Sequence, residues 1–154
     1  SQPKNLALVT QTTLSIDDTS KIINILKEKF PSIKSPNADD ICYATQNRQD
    51  AVKQLALETD FIIVVGSQNS SNSNRLKELS EIIGTKSCLV DHVSQLSEDM
   101  FNDVKALGIT SGASAPEELV EEIINFCGQY GFMEKIELDG LKENISFKLP
   151  LELR

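Results

Sequence analysis

The chain has 154 residues, 40% apolar, 25% charged and 5% aromatic, which sets a prior of one compact domain or two small ones and excludes collagen, low-complexity fibre and disorder. Fifteen Lys and Arg against 23 Asp and Glu leave a net charge of −8 with no basic run to offset it, so nucleic acid is not expected as a partner. The longest apolar run, residues 61–65, is far short of the roughly 20 that a membrane helix needs, and nothing marks secretion.

Residues 6–9 predict a short buried strand that leaves into Thr10-Gln11-Thr12-Thr13. A helix follows: Ser15 with Asp18 fits a capping box, and Ile22, Ile25, Leu26 and Phe30 recur at helical spacing until Pro31. Ser35-Pro36-Asn37-Ala38-Asp39-Asp40 reads as a loop and the best candidate for a domain boundary. Beyond it the pattern repeats. Residues 41–44 predict a strand, and Ala51, Val52, Leu55 and Ala56 the inner face of a helix.

Residues 61–65, apolar without polar alternation, predict a central strand covered on both faces. Gly66 ends it, residues 67–74 supply eight polar uncharged side chains, and a helix with Leu76, Leu79 and Ile83 inward follows. Residues 88–90 predict another strand, and Leu96, Met100, Phe101 and Val104 a helix face. Residues 107–109 predict the last strand of the series. Leu119, Val120, Ile123 and Ile124 line its helix, for which Ser114 with Glu117 is a second capping-box candidate and Pro116 suits the first turn. From Met133 the period changes to two: Ile136, Leu138, Ile145, Phe147 and Leu149 around Asp139-Gly140 predict an antiparallel pair. The whole is α/β, with parallel sheets and helices on both faces.

Ligands of open α/β sheets bind outside the carboxyl ends of the strands, so the exit loops should carry the chemistry. Residues 10–15, 42–47, 66–74 and 110–115 contain no charged side chain and are built largely from Ser, Thr, Asn, Gln and Gly. Helix N-termini present free N–H groups and partial positive charge, so such loops together form an anion site without lysines, suited to a phosphate or diphosphate. Any one of these loops is also explained by helix capping. Residues 66–74 hold far more polar groups than a cap needs, which favours ligand binding there.

An odd count of three cysteines without a secretion signal points to reduced thiols in a cytosolic compartment. Cys88 and Cys127 read as small buried hydrophobes. For Cys42, on the proposed ligand edge, spacing leaves a packed thiol and a functional one both open, since no C-x-x-C or nearby His accompanies it. His92 reads as a loop residue, and Glu117, Glu118, Glu121 and Glu122 as a solvated, capped helix face.

The runs Asp39-Asp40-Ile41-Cys42-Tyr43-Ala44-Thr45 with Asn47-Arg48-Gln49, Val64-Val65-Gly66-Ser67 with Asn69-Ser70-Ser71-Asn72-Ser73-Asn74-Arg75-Leu76, and Gly112-Ala113-Ser114-Ala115-Pro116 closely resemble the 4-hydroxy-3-methylbut-2-enyl diphosphate reductases of the non-mevalonate isoprenoid pathway. Thr10-Gln11-Thr12-Thr13-Leu14-Ser15 and the ending Leu151-Glu152-Leu153-Arg154 are similar as well, so the resemblance spans essentially the whole chain.

The resemblance implies α/β domains around a 4Fe-4S cluster and reductive removal of the substrate hydroxyl to give isopentenyl and dimethylallyl diphosphates. By position it implies Cys42 as one cysteine ligand of the cluster. It implies Ser70, Asn72 and Ser114 on the diphosphate with Ser71 beside them, Thr12 near the substrate hydroxyl, and Thr45 and Asn47 as adjacent candidates.

It further implies that this chain is the carboxyl-terminal half. The other half would supply the remaining cysteine ligands, two substrate-facing histidines and the proton-delivering glutamate, and the opening Ser1-Gln2-Pro3 suits a chain cut from something longer. Residues 1–38 would be part of a preceding α/β domain and 39–130 a complete one. Residues 131–154 would be a terminal antiparallel extension packing on the other half. The chain alone is then expected to hold no intact cluster and to be inactive. An electron donor such as ferredoxin or flavodoxin, and a cytoplasmic location (plastid in a plant or alga), follow from the same likeness. The alternative is a non-catalytic α/β module that binds a phosphorylated metabolite.

Overall fold

β1 (Phe61–Val65) is the middle strand of a parallel three-stranded sheet in a computed structural model that describes residues 5–35 and 41–138. It lies between β2 (Lys86–Val90) and β3 (Leu107–Ser111), and the register sets Val65 level with both Val90 and Ser111. The unbroken apolar run is buried on both faces, as a central parallel strand requires. Ile62 and Val64 pack with Val52 and Ala56 of α2 (Tyr43–Glu58) and Leu76 and Leu79 of α3 (Ser71–Ile83). Ile63 and Val65 pack on the other side with Val90, Leu96, Phe101, and Ile123 and Cys127 of α4 (Glu117–Gly128). All four of these β1 side chains are fully inaccessible, and burying each contributes about 1.5–3 kcal/mol, so this strand is where the core's stability concentrates.

Helices in such crossovers run back over the sheet against the strands. α2 reaches β1 through only Thr59 and Asp60, and α3 follows β1, so both helices begin at the carboxyl edge of the sheet. At the opposite edge the Asp60 carboxylate accepts the amides of Lys105 and Ala106, both at 3.0 Å, which ties the start of β1 to the approach of β3.

Several expected elements differ. Residues 6–9 form no strand; Ala7 makes one isolated parallel bridge with Lys34. Residues 41–44 are not a strand either. The Cys42 carbonyl accepts the amides of Thr45 and Gln46, turning the chain straight into α2, and the Cys42 amide goes to Thr12 rather than to a strand partner. Leu96 and Phe101 are buried, but Leu96 caps the end of one 3₁₀ turn, Val93–Gln95, and Phe101 closes a second, Glu98–Phe101, where an α-helix was expected. Gln95 turns back on the amides of Asp91 and His92, and Phe101 stacks on Tyr130 at 5.3 Å, so the turns are held without a helical ladder.

α1 (Ile16–Lys29) starts where expected, with Ser15 accepting the Asp18 amide. Its expected inner residues Ile22 and Ile25 are nevertheless 58% and 62% exposed, because no other described element packs broadly against them. Ile83 is exposed while Ser80 is fully buried, and Gly84 ends α3 in the left-handed region. Ser114 is not a cap. Pro116 occupies the N-cap position of α4 and Ser114 stands two residues before it. Residues 133–138 form no strand, and Met133 and Ile136 are exposed; residues 139–154, with the expected turn and the rest of the antiparallel pair, and residues 36–40 of the expected boundary lie outside the described residues.

Candidate functional site

In the order β2-β1-β3 the chain leaves β1 toward one side and returns past it to β3, so the carboxyl ends of β1 and β3 flank a topological switch point, where α/β sheets take ligands. Gly66 and Gly112 stand there, their amides donating to the carbonyls of Val90 and Val65 at 2.8 and 2.9 Å. Ser73, in the first turn of α3 and 1% exposed, is wedged against both glycines. A Cβ on either would collide with its hydroxyl oxygen, so glycine at 66 and 112 lets the helix start sit directly on the strand ends.

Much of the polar loop is structural. Ser67 Oγ accepts the Asn69 amide, Ser70 Oγ accepts the Ser73 amide as N-cap of α3, and the Asn74 side-chain nitrogen donates to the carbonyls of Gln68 and Ser70. A loop turn therefore accounts for Ser67, and the capped start of α3 for Ser70 and Asn74. Neither accounts for Asn72, which is 7% exposed with no hydrogen bond at its Nδ2 or its Oδ1. A buried amide without partners costs about 1–3 kcal/mol, and such groups in native proteins call for an explanation such as a ligand. Ser71 is exposed beside it, and the Ser70 hydroxyl retains its proton as a donor. Ser114 is exposed on the turn after β3 that Ala115 closes onto Gly112.

Helix charge completes the edge. α1 and α4 carry Asp17 and Asp18, and Glu117 and Glu118, in their first turns, where acids neutralise the positive end of the dipole. α2 and α3 carry no acid there, so both present uncompensated positive ends at the carboxyl edge. Cys42 is the N-cap residue of α2, and its thiol is exposed. Its amide donates to the Thr12 carbonyl at 3.1 Å, which brings the exposed Thr12 beside it; the Gln49 side chain holds the Leu14 carbonyl at 3.1 Å and keeps this turn on α2. Asn72 thus meets the exit of β3 at Gly112, with Ser70 and Ser71 next to it on the start of α3 and Ser114 two residues past Gly112. Cys42 and Thr12 stand together at the head of α2 on the same edge. Thr45 is buried and donates its amide to Cys42, and Asn47 is half-buried on α2.

Cys88 and Cys127 are of a different kind. Burial pushes both thiols up to about 11, and each belongs to or packs against the core on the α4 side of the sheet. His92 is an exposed loop residue. Among the described residues no three His, Cys, Asp or Glu side chains group to hold a metal ion. Cys42, an exposed thiol at a helix start, is a side chain that could take a metal ion as one ligand.

A cavity of about 530 Å³ opens between α1 and α3, lined among others by Gln11, Thr13, Asp18, Asn69, Asn74 and Arg75. Sequence reasoning passed over Arg75. Its guanidinium, 19% exposed, reaches Asp18 at 2.9 Å and Glu78 at 3.1 Å, while its Nε is buried without a partner. A lone charge in the otherwise neutral start of α3 is the signal that could have marked it.

No described helix is long and apolar enough to cross a membrane. The family model described as LytB protein matches residues 1–127. Over 152 residues the chain is 59% identical to the 4-hydroxy-3-methylbut-2-enyl diphosphate reductase of Ectopseudomonas mendocina and 57% to that of Acinetobacter baumannii, in each case covering 99% of this chain and 48% of the relative. The solved E-1-hydroxy-2-methyl-but-2-enyl-4-diphosphate reductase from Plasmodium falciparum superposes with a TM-score of 0.85 at 38% identity, over 97% of this chain and 48% of that one. The chain spans about half the length of the curated relatives it matches.

Proposed function

The chain belongs to the LytB protein family, and from that premise we propose that it is the carboxyl-terminal half of a 4-hydroxy-3-methylbut-2-enyl diphosphate reductase, completed by the other half of its longer relatives. The observation that carries the reading is Asn72: a buried amide with both polar atoms unused, at a helix start whose positive end no acid neutralises. A diphosphate supplies acceptors for its nitrogen and for the free amides of the first turn of α3.

In this reading Asn72 Nδ2 and the hydroxyls of Ser70 and Ser114 donate to the diphosphate oxygens, with Ser71 at the rim. That anchoring fixes the allylic carbon of the substrate, and Thr12 orients its hydroxyl from the neighbouring turn. Loss of that hydroxyl needs two electrons and two protons per molecule, releasing water. A 4Fe-4S cluster held by Cys42 and ligands of the other half supplies the electrons when bound. A ferredoxin or flavodoxin is the donor proposed, and the cytoplasm, or a plastid in a plant or alga, the location.

The test is Cys42→Ser in the enzyme assembled with its complementary half. The expected result is loss of the absorbance near 400 nm and of reductase activity, with pyrophosphate binding retained. Unchanged colour and rate would leave only a phosphate-binding module. Reconstitution of the 154 residues alone under anaerobic conditions is expected to give no stoichiometric iron and sulfide.

A further inference from the structure

The turn bearing Thr12 and the helix bearing Asn72 lie on different parts of the fold, and a rigid substrate needs them at a fixed separation. α1 contributes little to holding that separation by apolar packing, since Ile25 is 62% exposed and Ile22, which borders the cavity toward α3, is still 58% exposed. Polar contacts join this segment to the sheet domain among the described residues: Cys42 to Thr12 and Gln49 to Leu14 on α2, Lys53 to Asp17 at 3.1 Å, and Arg75 to Asp18 at 2.9 Å. Arg75 alone among these side chains sits on the same helix as Asn72, three positions further on and therefore on the same face.

We propose that Arg75 is a positioning residue of the reductase: its guanidinium, braced between Asp18 and Glu78, sets the distance between the Thr12 turn and the diphosphate-binding start of α3. This rests on the function proposed above. Asp18 is in the first turn of α1, where its amide is capped by Ser15, so its carboxylate moves with the turn that carries Thr12. Glu78 is on α3 itself, one turn beyond Arg75, and keeps the guanidinium from swinging along the helix. A planar fork with several donors can hold both carboxylates at once, which an ammonium on a flexible stem does poorly. Lys21, 3.9 Å from Asp18 on the solvent side, does not reach α3 and cannot replace it.

The experiment uses the full-length reductase carrying this chain, with Arg75→Ala, Asp18→Asn and the double variant, measuring kcat, KM and inhibition by inorganic pyrophosphate. Pyrophosphate does not reach the Thr12 turn, so its inhibition constant is expected to stay within about twofold while kcat falls about tenfold, a loss typical of slight misplacement of reacting groups. The double variant is expected to be no worse than Arg75→Ala, and Arg75→Lys to recover part of the rate. Asp18→Asn alters only an exposed carboxylate and carries the test if Arg75→Ala does not fold. Unchanged kcat in Asp18→Asn, additive losses, or pyrophosphate inhibition that weakens in step with kcat would overturn the proposal. Asn72→Ala serves as the control: if pyrophosphate inhibition is unaffected there, the diphosphate reading has failed instead.

Discussion

The side-chain nitrogen of Asn72 lies 3.7 Å from the point where Gly112 would carry a Cβ, so the start of α3 and the exit of β3 share one contact surface. Ser73 fills the rest of that surface between Gly66 and Gly112. Gly112→Ala is expected to force Ser73 and Asn72 outward, lowering stability by about 1–3 kcal/mol and weakening pyrophosphate binding. Gly128→Ala, at the end of α4 with nothing within 4 Å, is expected to leave stability unchanged or raise it by about 0.5–1 kcal/mol. Urea unfolding of the two variants checks the contrast.

Asn72 should behave in the opposite way to an ordinary core residue. Because its amide is buried without partners, Asn72→Ala is expected to leave stability unchanged or raise it by up to about 1 kcal/mol, while weakening pyrophosphate binding. Thermal melting beside titration calorimetry reads both. A large loss of stability would show that the amide serves the fold and not a ligand.

What was legible in the sequence follows the physics of each segment. At residues 61–65 four of five apolar residues are β-branched and Gly66 follows at once, which selects a buried strand over a helix, so β1 and its central place were plain. The polar loop beside it was legible because eight uncharged residues exceed what a cap uses, yet only side-chain geometry separates Asn72 from the structural Ser67, Ser70 and Asn74. Short apolar runs are ambiguous, and residues 41–44 were misread for that reason: Thr45 and Gln46 satisfy the Cys42 carbonyl and begin α2 at once. Leu96 and Phe101 were correctly inward, but Ser97, Asn102 and Asp103, the last at a positive φ of 64°, break the helix that their spacing suggested. Arg75 stands out in the sequence only as a lone charge; its pairing with Asp18 was not legible, because the two lie 57 positions apart and meet only in the folded chain.

The thiols should separate by reactivity. Cys42 is exposed, whereas burial raises Cys88 and Cys127 to about 11, so a thiol reagent at pH 8 is expected to label Cys42 first and the others only on unfolding. Mass spectrometry of the labelled peptides checks the order.

The same shift sets an alkaline limit. The folded state keeps Cys88 and Cys127 neutral, while the unfolded chain releases their protons near the ordinary value of 9. Their contribution is therefore whole below about 9 and is lost as pH rises toward about 11. Stability measured by urea is expected to decline over that window, less steeply in Cys127→Ala.

Asp60 sets a limit in acid. Its carboxylate accepts the amides of Ala106 and Lys105 and is held below the usual range, so its contribution is present above that range and lost as pH falls through the lowered value. Asp60→Asn is expected to cost stability at neutral pH, with the difference from the parent chain vanishing in strong acid.

The central claim is that neutral side chains at the ends of β1 and β3 receive a diphosphate, next to the head of α2. Backbone amide shifts of the isotopically labelled chain during titration with inorganic pyrophosphate test it most directly. Saturable shifts are predicted at Ser70, Ser71, Asn72 and residues 112–115, and their loss in Asn72→Ala. Shifts confined to surface lysines such as Lys27 and Lys29, or a response indifferent to Asn72, would contradict it.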